Sequence, residues 1–348
     1  MAFQSAVGYG QLQTGVWSPT IYSKTVQKQF RKTSVAKDIT NNDYFGEISN
    51  FGDSVVIIKE PEISITPYAR GTQLTPQDLL DDSFTLIIDR ANSFNFQVDD
   101  IEKKMSHINW SSLASDRAAY RLADTYDRDM LAYMSGYQYS ADTGLWTVRT
   151  APVGTKSEST AGVDELLSAN KLTRATFVSG GSASDSIAVG NSGTYDATPL
   201  AILSRMARLL DIQNVDKKGR WVVVDPVFEE ILRDENSKFM NEFYQKGEQL
   251  SNGKIMSNEV RGFRLYSSNN LPVIGNGPGT ADNNGGSTDY GVIIAGQDSA
   301  VATAETINKT ESFRSPNTFA DVVRGLHMYG RKILRPQALC TAIYNINA

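Results

Sequence analysis

Between residues 55 and 98 hydrophobic positions fall in two stretches separated by a polar break. Val55 to Ile65 is rich in Val and Ile, and Phe84 to Ile88 runs on into Phe94, Phe96 and Val98 at every second position. A period of two puts those side chains on one face, so the segment predicts two long β stretches. Pro61 and Pro67 remove ladder donors, which makes the first an edge strand or an interrupted one. Arg70-Gly71-Thr72, Asp78, Asp81 and Asp82 supply a polar tip between the two. A two-stranded excursion of this kind is barely stable in water alone and needs a surface to lie on.

After residue 98 the period changes from two to that of a helix. Ile101, Met105, Ile108, Leu113, Tyr120, Ala123, Tyr126, Met130 and Tyr133 form an apolar stripe, opposite Lys104, Asp116, Arg117, Arg121, Asp124 and Arg128. Asp99 with Glu102 resembles a capping box, Asp100–Lys104 and Asp124–Arg128 are opposite charges one helical turn apart, and Gly136 supplies a stop. The spacing predicts one strut helix over 99–136, roughly 55 Å long at the α-helical rise.

Downstream the pattern is shorter-ranged. Val163 to Lys171 predicts a short helix, Ser179 to Ala197 a Gly/Ser/Asp loop, and Pro199 to Ile212 a second amphipathic helix. Trp221 to Val224 reads as a buried strand, and Asp225-Pro226 opens a helix through Val227, Ile231 and Leu232. Short strands are expected at Glu259–Tyr266, Leu271–Ile274 and Tyr290–Ala295, with two more within Asp321–Tyr344. Residues 1–50 show no period. Trp17, Tyr22, Phe30, Tyr44 and Phe45 are scattered among polar residues there, as in a tail or an extended arm with aromatic anchors. The sum is an α+β chain.

Composition narrows the function. Charged residues make up 21% of the 348 and hydrophobic ones 40%, the proportions of a folded protein. The net charge of -5 argues against tight, sequence-independent nucleic-acid binding. One cysteine, Cys340, excludes an intrachain disulfide. No signal-like start and no long apolar run is seen, so neither secretion nor a membrane is expected.

Candidate chemistry is sparse. The only histidines, His107 and His327, sit among apolar and aromatic neighbours and read as structural. With one cysteine they cannot make a tetrahedral metal site. Gly275-Asn276-Gly277-Pro278-Gly279 is not followed by a helix, as a phosphate loop must be. Arg324, Arg331 and Lys332 make a modest basic cluster, which reads as a solvated face or as ion-pair partners. Asp99, Asp100 and Glu102 leave open a metal-assisted hydrolase as a competing reading, though capping explains them more simply. No catalytic residue, cofactor or resident metal is predicted.

Several strings, taken in order, resemble the major capsid protein family of tailed bacteriophages, the Hong Kong-phage-type fold shared with encapsulins. Phe51 to Ile57 is similar to the opening of that family's extended loop, and Leu86 to Asp100 to its return into a spine helix. Gly219 to Pro226 resembles the start of an axial domain, Gly262 to Pro272 its turn motif, and Asp321 to Gly330 the closing strand of a peripheral domain. The resemblance implies an N-terminal arm over 1–51 and an extended β-hairpin loop over 52–97. It further implies a peripheral domain over 98–217 with its spine at 99–136 and a variable segment at 138–198, an axial domain over 218–305, and return strands over 306–348.

By the same resemblance the chain assembles into pentamers and hexamers of an icosahedral shell around double-stranded DNA, in the host bacterial cytoplasm, and resides in the virion capsid. Implied partners are other copies of itself, a separate scaffolding protein, a portal protein, a decoration or cement protein, and packaged DNA held weakly. No long helical segment precedes the fold, so an attached scaffolding domain is not expected. An encapsulin-type compartment is the alternative within the same fold. The contacts between subunits are expected at Trp17, Phe30, Lys59, Glu60, Arg70, Asp78, Asp81, Asp82, Arg117 and Arg121.

Overall fold

The computed structural model describes residues 34–43, 54–58, 61, 63–71, 73, 76–78, 83–105, 110–140, 143–148, 166–182, 185–190, 195–234, 259–275, 278 and 290–346. A four-residue helix, α1 (Ala36–Ile39), is followed by strands β1 (Ser54–Ile58), β2 (Ser83–Ile87) and β3 (Arg90–Asp99). Next come α2 (Asp100–Met105), the long α3 (Trp110–Ser135), and a small hairpin of β4 (Tyr137–Tyr139) and β5 (Trp146–Val148). Then follow β6 (Lys171–Leu172), β7 (Ile187–Val189), α4 (Pro199–Ile212), β8 (Arg220–Val224) and α5 (Pro226–Arg233). The remainder is β: β9 (Glu259–Val260), β10 (Phe263–Ser267), β11 (Val273–Ile274), β12 (Tyr290–Gln297), β13 (Val301–Arg314), β14 (Ala320–Ile333) and β15 (Leu339–Ile346).

The core is built on both faces of one mixed sheet ordered β6-β15-β12-β8-β10-β9, with β7 and β11 at its margins. Its central strand β8 is buried at every residue, and its alternation splits between two layers. Val222 and Val224 face α4 and α5, against Leu203, Met206, Leu210 and Phe228. Trp221 and Val223 face α3, against Tyr126, Met130, Tyr133 and Met134. A strand covered on both faces has no polar side, which is why the run Trp-Val-Val-Val is continuous rather than alternating.

The two covering helices begin where their side chains dictate. Thr198 Oγ1 accepts from Ala201 N at 3.3 Å, with Pro199 in the first turn of α4. Asp225 Oδ1 accepts from Phe228 N at 3.2 Å and from the Tyr344 hydroxyl, tying the start of α5 to β15. Burial raises the Asp225 carboxyl above its usual range against the pull of those two donors. Asn214, with φ of 58°, turns the chain out of α4. Buried Arg220 then donates to the Val215 and Asp216 carbonyls at 2.6 and 2.9 Å.

A second sheet, β13-β14-β3, flanks α3. Its Phe94 ring lies across Gly325, directly opposite in the ladder, where a Cβ would collide with the ring. The sheet is bound to α3 by Asp129, whose Oδ2 accepts from Tyr329 Oη at 2.9 Å and pairs with Arg331 at 2.6 Å.

Four sequence expectations are revised. Helix does not begin at 99. Strand β3 persists to Asp99, held by Ala320, and only then does Asp99 Oδ1 accept from Ile101 N at 2.8 Å to start α2. Residues 106–109 lie outside the described residues, and on either side of them the structure gives α2 and the 26-residue α3. Second, the alternation from Phe84 to Val98 belongs to two sheets. Strand β2 pairs β1, whereas β3 pairs β14, because a period of two states which face is buried and not which strand is the neighbour. Third, of the short helix expected over 163–171 the described residues hold only a single 3-10 turn at Ser168–Asn170. Asn170 Nδ2 donates to the Leu339 and Gln337 carbonyls at 2.7 and 3.2 Å, and β6 joins β15. Fourth, the presumed loop at 179–197 contains β7, which also adds to β15.

One buried group joins three separate parts of the chain. Asp127, with 0% exposure, accepts at Oδ1 from Val35 N and Ala36 N at 2.8 Å each and from Ser34 Oγ at 3.1 Å. Its Oδ2 accepts from Asn270 Nδ2 at 2.9 Å, and Asp124 accepts from the same amide at 3.0 Å. Asp127→Ala is expected to destabilise the chain by about 3 kcal/mol, because it strands buried donors without an acceptor. Urea unfolding measures this, and limited proteolysis should show residues 34–43 cut first. Wild-type stability in this variant would remove Asp127 from its proposed place as the arm's anchor.

Candidate assembly surface

Among the described residues, the excursion between β1 and β2 is largely exposed. It is rooted by Leu86 and Ile88, which pack with Ala304, Met328, Val55 and Ile57. Gly330 lets the β2 backbone lie directly on β14, since a Cβ there would meet the Ile87 carbonyl. The described ladder runs from Ser54↔Ile87 to Ile58↔Ser83. Beyond it Gln77 Oε1 accepts from Ser64 N at 3.1 Å and from Ser64 Oγ at 2.9 Å, the only described bond across the distal part.

That excursion carries large apolar side chains in solvent. Ile58 is 78% exposed, Ile65 95% and Tyr68 65%, with Val56 and Ile63 similarly open. Each such side chain gains roughly 1.5–3 kcal/mol if fully covered. Contiguous apolar surface on an extended element is the mark of a docking element rather than of a finished surface. Arg70 and Asp78 lie here and are exposed, whereas Lys59, Glu60, Asp81 and Asp82 lie outside the described residues.

The second part is the arm. Trp17 and Phe30 are outside the described residues, so what the structure places is 34–43. Val35, Ala36 and Ile39 are buried beside α3, and Asn41 bridges to β13 through Asn41 N to Val301 O at 2.8 Å and Thr303 N to Asn41 O at 3.0 Å. Lys37 Nζ sits 3.1 Å from Glu305 Oε1, and buried His327 approaches the same oxygen at 3.5 Å. The His327 imidazole and the Lys37 ammonium together hold the Glu305 carboxyl below the usual carboxylate range. His327 also stacks on Tyr329 with ring centroids 5.1 Å apart and meets Tyr126 edge-on at 5.6 Å. Neither its burial nor its aromatic neighbours suit a proton shuttle to solvent.

The charged residues singled out on the helix and in β14 have partners within the chain. Arg121 Nη1 lies 3.7 Å from Asp124, and Arg117 stacks 5.0 Å from the Tyr120 ring. Arg324 pairs with Glu311 at 2.9 Å, and Arg331 with Asp129. At the start of α2, Arg314 grips Asp100 through both guanidinium nitrogens and reaches Asp321 at 3.3 Å, while Lys103 reaches Asp321 at 2.9 Å. Asp100 and Asp321 are both held below the usual carboxylate range by hydrogen bonds, from Arg314 and from Lys103 respectively. With Asp99 bonded to Ile101 N and Asp100 to Arg314, the proposed metal-hydrolysis carboxylates serve as cap and ion-pair partner. Among the described residues no group of three or more His, Cys, Asp or Glu is placed to hold a metal. No described helix is long and apolar enough to cross a membrane.

Sequence reasoning missed which strands, β3 and β13, form the edges of the second sheet among the described residues, and it missed the Asp127 node. The edges arise from strand order, and the node from residues 92 and 143 positions away from Asp127.

No protein-family model and no curated protein matches the sequence. Solved structures do. The chain is similar to one from Mycobacterium phage Che8, at 21% identity and a TM-score of 0.66, over 95% of this chain and 97% of that one. It is similar to the capsid structure of the cyanophage P-SCSP1u, at 20% identity and a TM-score of 0.63, over 96% and 94%. For the capsid of Ralstonia phage GP4 the figures are 12% identity and a TM-score of 0.62, over 99% of each chain. A likeness spanning nearly the whole of both chains in every case gives this protein the tailed-phage major capsid protein fold.

Proposed function

We propose that this chain is the structural subunit of a phage capsid, assembling with copies of itself into a shell. The observation that carries the reading is the combination of a whole-length capsid fold with an excursion whose apolar side chains are left uncovered among the described residues. A neighbouring copy supplies the missing surface, so folding of the excursion and assembly are linked by concentration. Contacts that differ on the two partners are heterologous and close into rings, here the pentamers and hexamers of an icosahedral shell. The exposed Arg70 and Asp78 then lie at the tip that meets the neighbour.

The wider partners follow from the same reading. The shell encloses double-stranded DNA, which a chain of net charge -5 holds only weakly, as translocation during packaging requires. A separate scaffolding protein, a portal and a decoration protein complete the particle, which is built in the bacterial cytoplasm. The work of the protein is done by contact surfaces, with no reaction assigned to it.

Negative-stain electron microscopy of the expressed chain should show shells, or fragments with five- and six-membered rings. A clean monomer across a concentration series, with and without a scaffolding protein, would overturn the reading. Deleting residues 60–82 should leave folded subunits or capsomers that build no stable shell. Shells of normal yield and stability from that deletion would show that the excursion is not the joining element.

A further inference from the structure

Two nitrogens contend for one carboxylate oxygen at the root of the arm. Glu305 Oε1 lies 3.1 Å from Lys37 Nζ on α1 and 3.5 Å from His327 Nε2 on β14. Glu305 stands on β13 beside the break in its register with β14, where arm and second sheet meet. His327 Nε2 is buried and makes no hydrogen bond, the approach at 3.5 Å being too long for a good one. The two nitrogens are held very differently. The His327 side chain is 7% exposed, stacked on Tyr329 and set edge-on to Tyr126, so it has no room to turn away. Lys37 is 56% exposed on a flexible four-carbon stem and reaches water by rotation about its own bonds. A cavity of about 360 Å³, lined in part by Ser34, Lys37, Tyr126 and His327, brings water to the edge of the imidazole.

Imidazole is the side chain whose charge ordinarily changes between about pH 5 and 8. Glu305, held below the usual carboxylate range by His327 and Lys37, stays ionised across that window. A protonated His327 is a cationic donor facing a carboxylate, and such a bond is about twice as strong as a neutral one. Lys37 then meets a like charge at the same oxygen, and the exposed partner is the one that yields. The other groups around the ring do not reverse this. On α3, Asp129 is matched by Arg331 of β14 at 2.6 Å, and Asp127 is filled by the amides it binds. Tyr126 and Tyr329, pushed by burial above the usual phenol range, stay neutral. Opposite His327 in the two ladders stand Asn92 of β3 and Asn308 of β13, both uncharged.

We propose that His327 and Glu305 form a proton-operated latch on the arm: acidification hands the Glu305 carboxylate from Lys37 to His327 and loosens residues 34–43. The arm keeps its Asp127 clamp and its Asn41 bridge to β13, so it slackens without leaving. The device belongs to the single subunit and stands whether or not the chain builds a shell.

Hydrogen–deuterium exchange of the dilute full chain at about pH 8 and about pH 5.5, corrected for the intrinsic rate at each pH, tests it. Residues 36–41 should exchange about threefold faster at the lower pH, the loss expected of one partly exposed ion pair. The imidazole proton resonance that disappears in His327→Gln should titrate between the same two pH values. His327→Gln should keep its high-pH protection of the arm at both. Lys37→Gln, a change at an exposed position, should show the faster exchange at both and no pH step. Should His327→Gln fail to fold, Lys37→Gln decides the matter by itself. An imidazole still neutral at the lower pH would overturn the proposal. So would an arm that acid leaves unchanged or tightens, or an undiminished pH step in either variant.

Discussion

The carboxylate of Asp127 occupies a place that no solvent reaches, and its charge is tolerated there only because donors from two distant segments converge on it. A buried carboxylate with an unfilled oxygen would be costly, so the arrangement acts as a condition on the rest of the fold. Residues 34–36 must lie against α3, and the turn holding Asn270 must close over it, before the charge is satisfied. Two residues on, Asp129 imposes the same kind of condition on β14 through Tyr329 and Arg331. The long helix is therefore more than a strut. Its acidic positions bind the arm, the large sheet and the second sheet into one body.

That rigidity is distributed unevenly. The large sheet is covered on both faces, and Trp221, Phe228, Phe263 and Tyr344 are among its fully buried side chains. The excursion has one short ladder, a small root at Leu86 and Ile88, and one described side-chain crosslink at its far end. Local stability follows the density of such contacts. A chain so built offers a fixed platform and a pliant limb, and the limb has most to gain from a second surface.

The ion pairs at the start of α2 illustrate how charge is used along the way. Arg314, Asp100, Asp321 and Lys103 bind the far end of the β13–β14 hairpin to the helix in an exposed setting, where each pair is worth little by itself. Their value is geometric. They fix the end of β3 against its neighbour.

The sequence by itself determined which segments are strand or helix over most of the chain, because period and capping are local properties. Trp221 to Val224, the capped helices at Pro199 and Pro226, and the alternation around Phe94 and Phe96 were all legible. Strand β13 was not, since its Thr, Glu, Asn and Lys residues show no clean alternation and are held in place by β14. Nor could the sequence say that the alternation running from Phe84 to Val98 is divided between two sheets. Partner choice is a long-range property, decided when β3 meets β14 more than two hundred residues away. For the same reason only the tertiary structure decided where Asp127 finds its donors and which strands form the edges of the second sheet among the described residues.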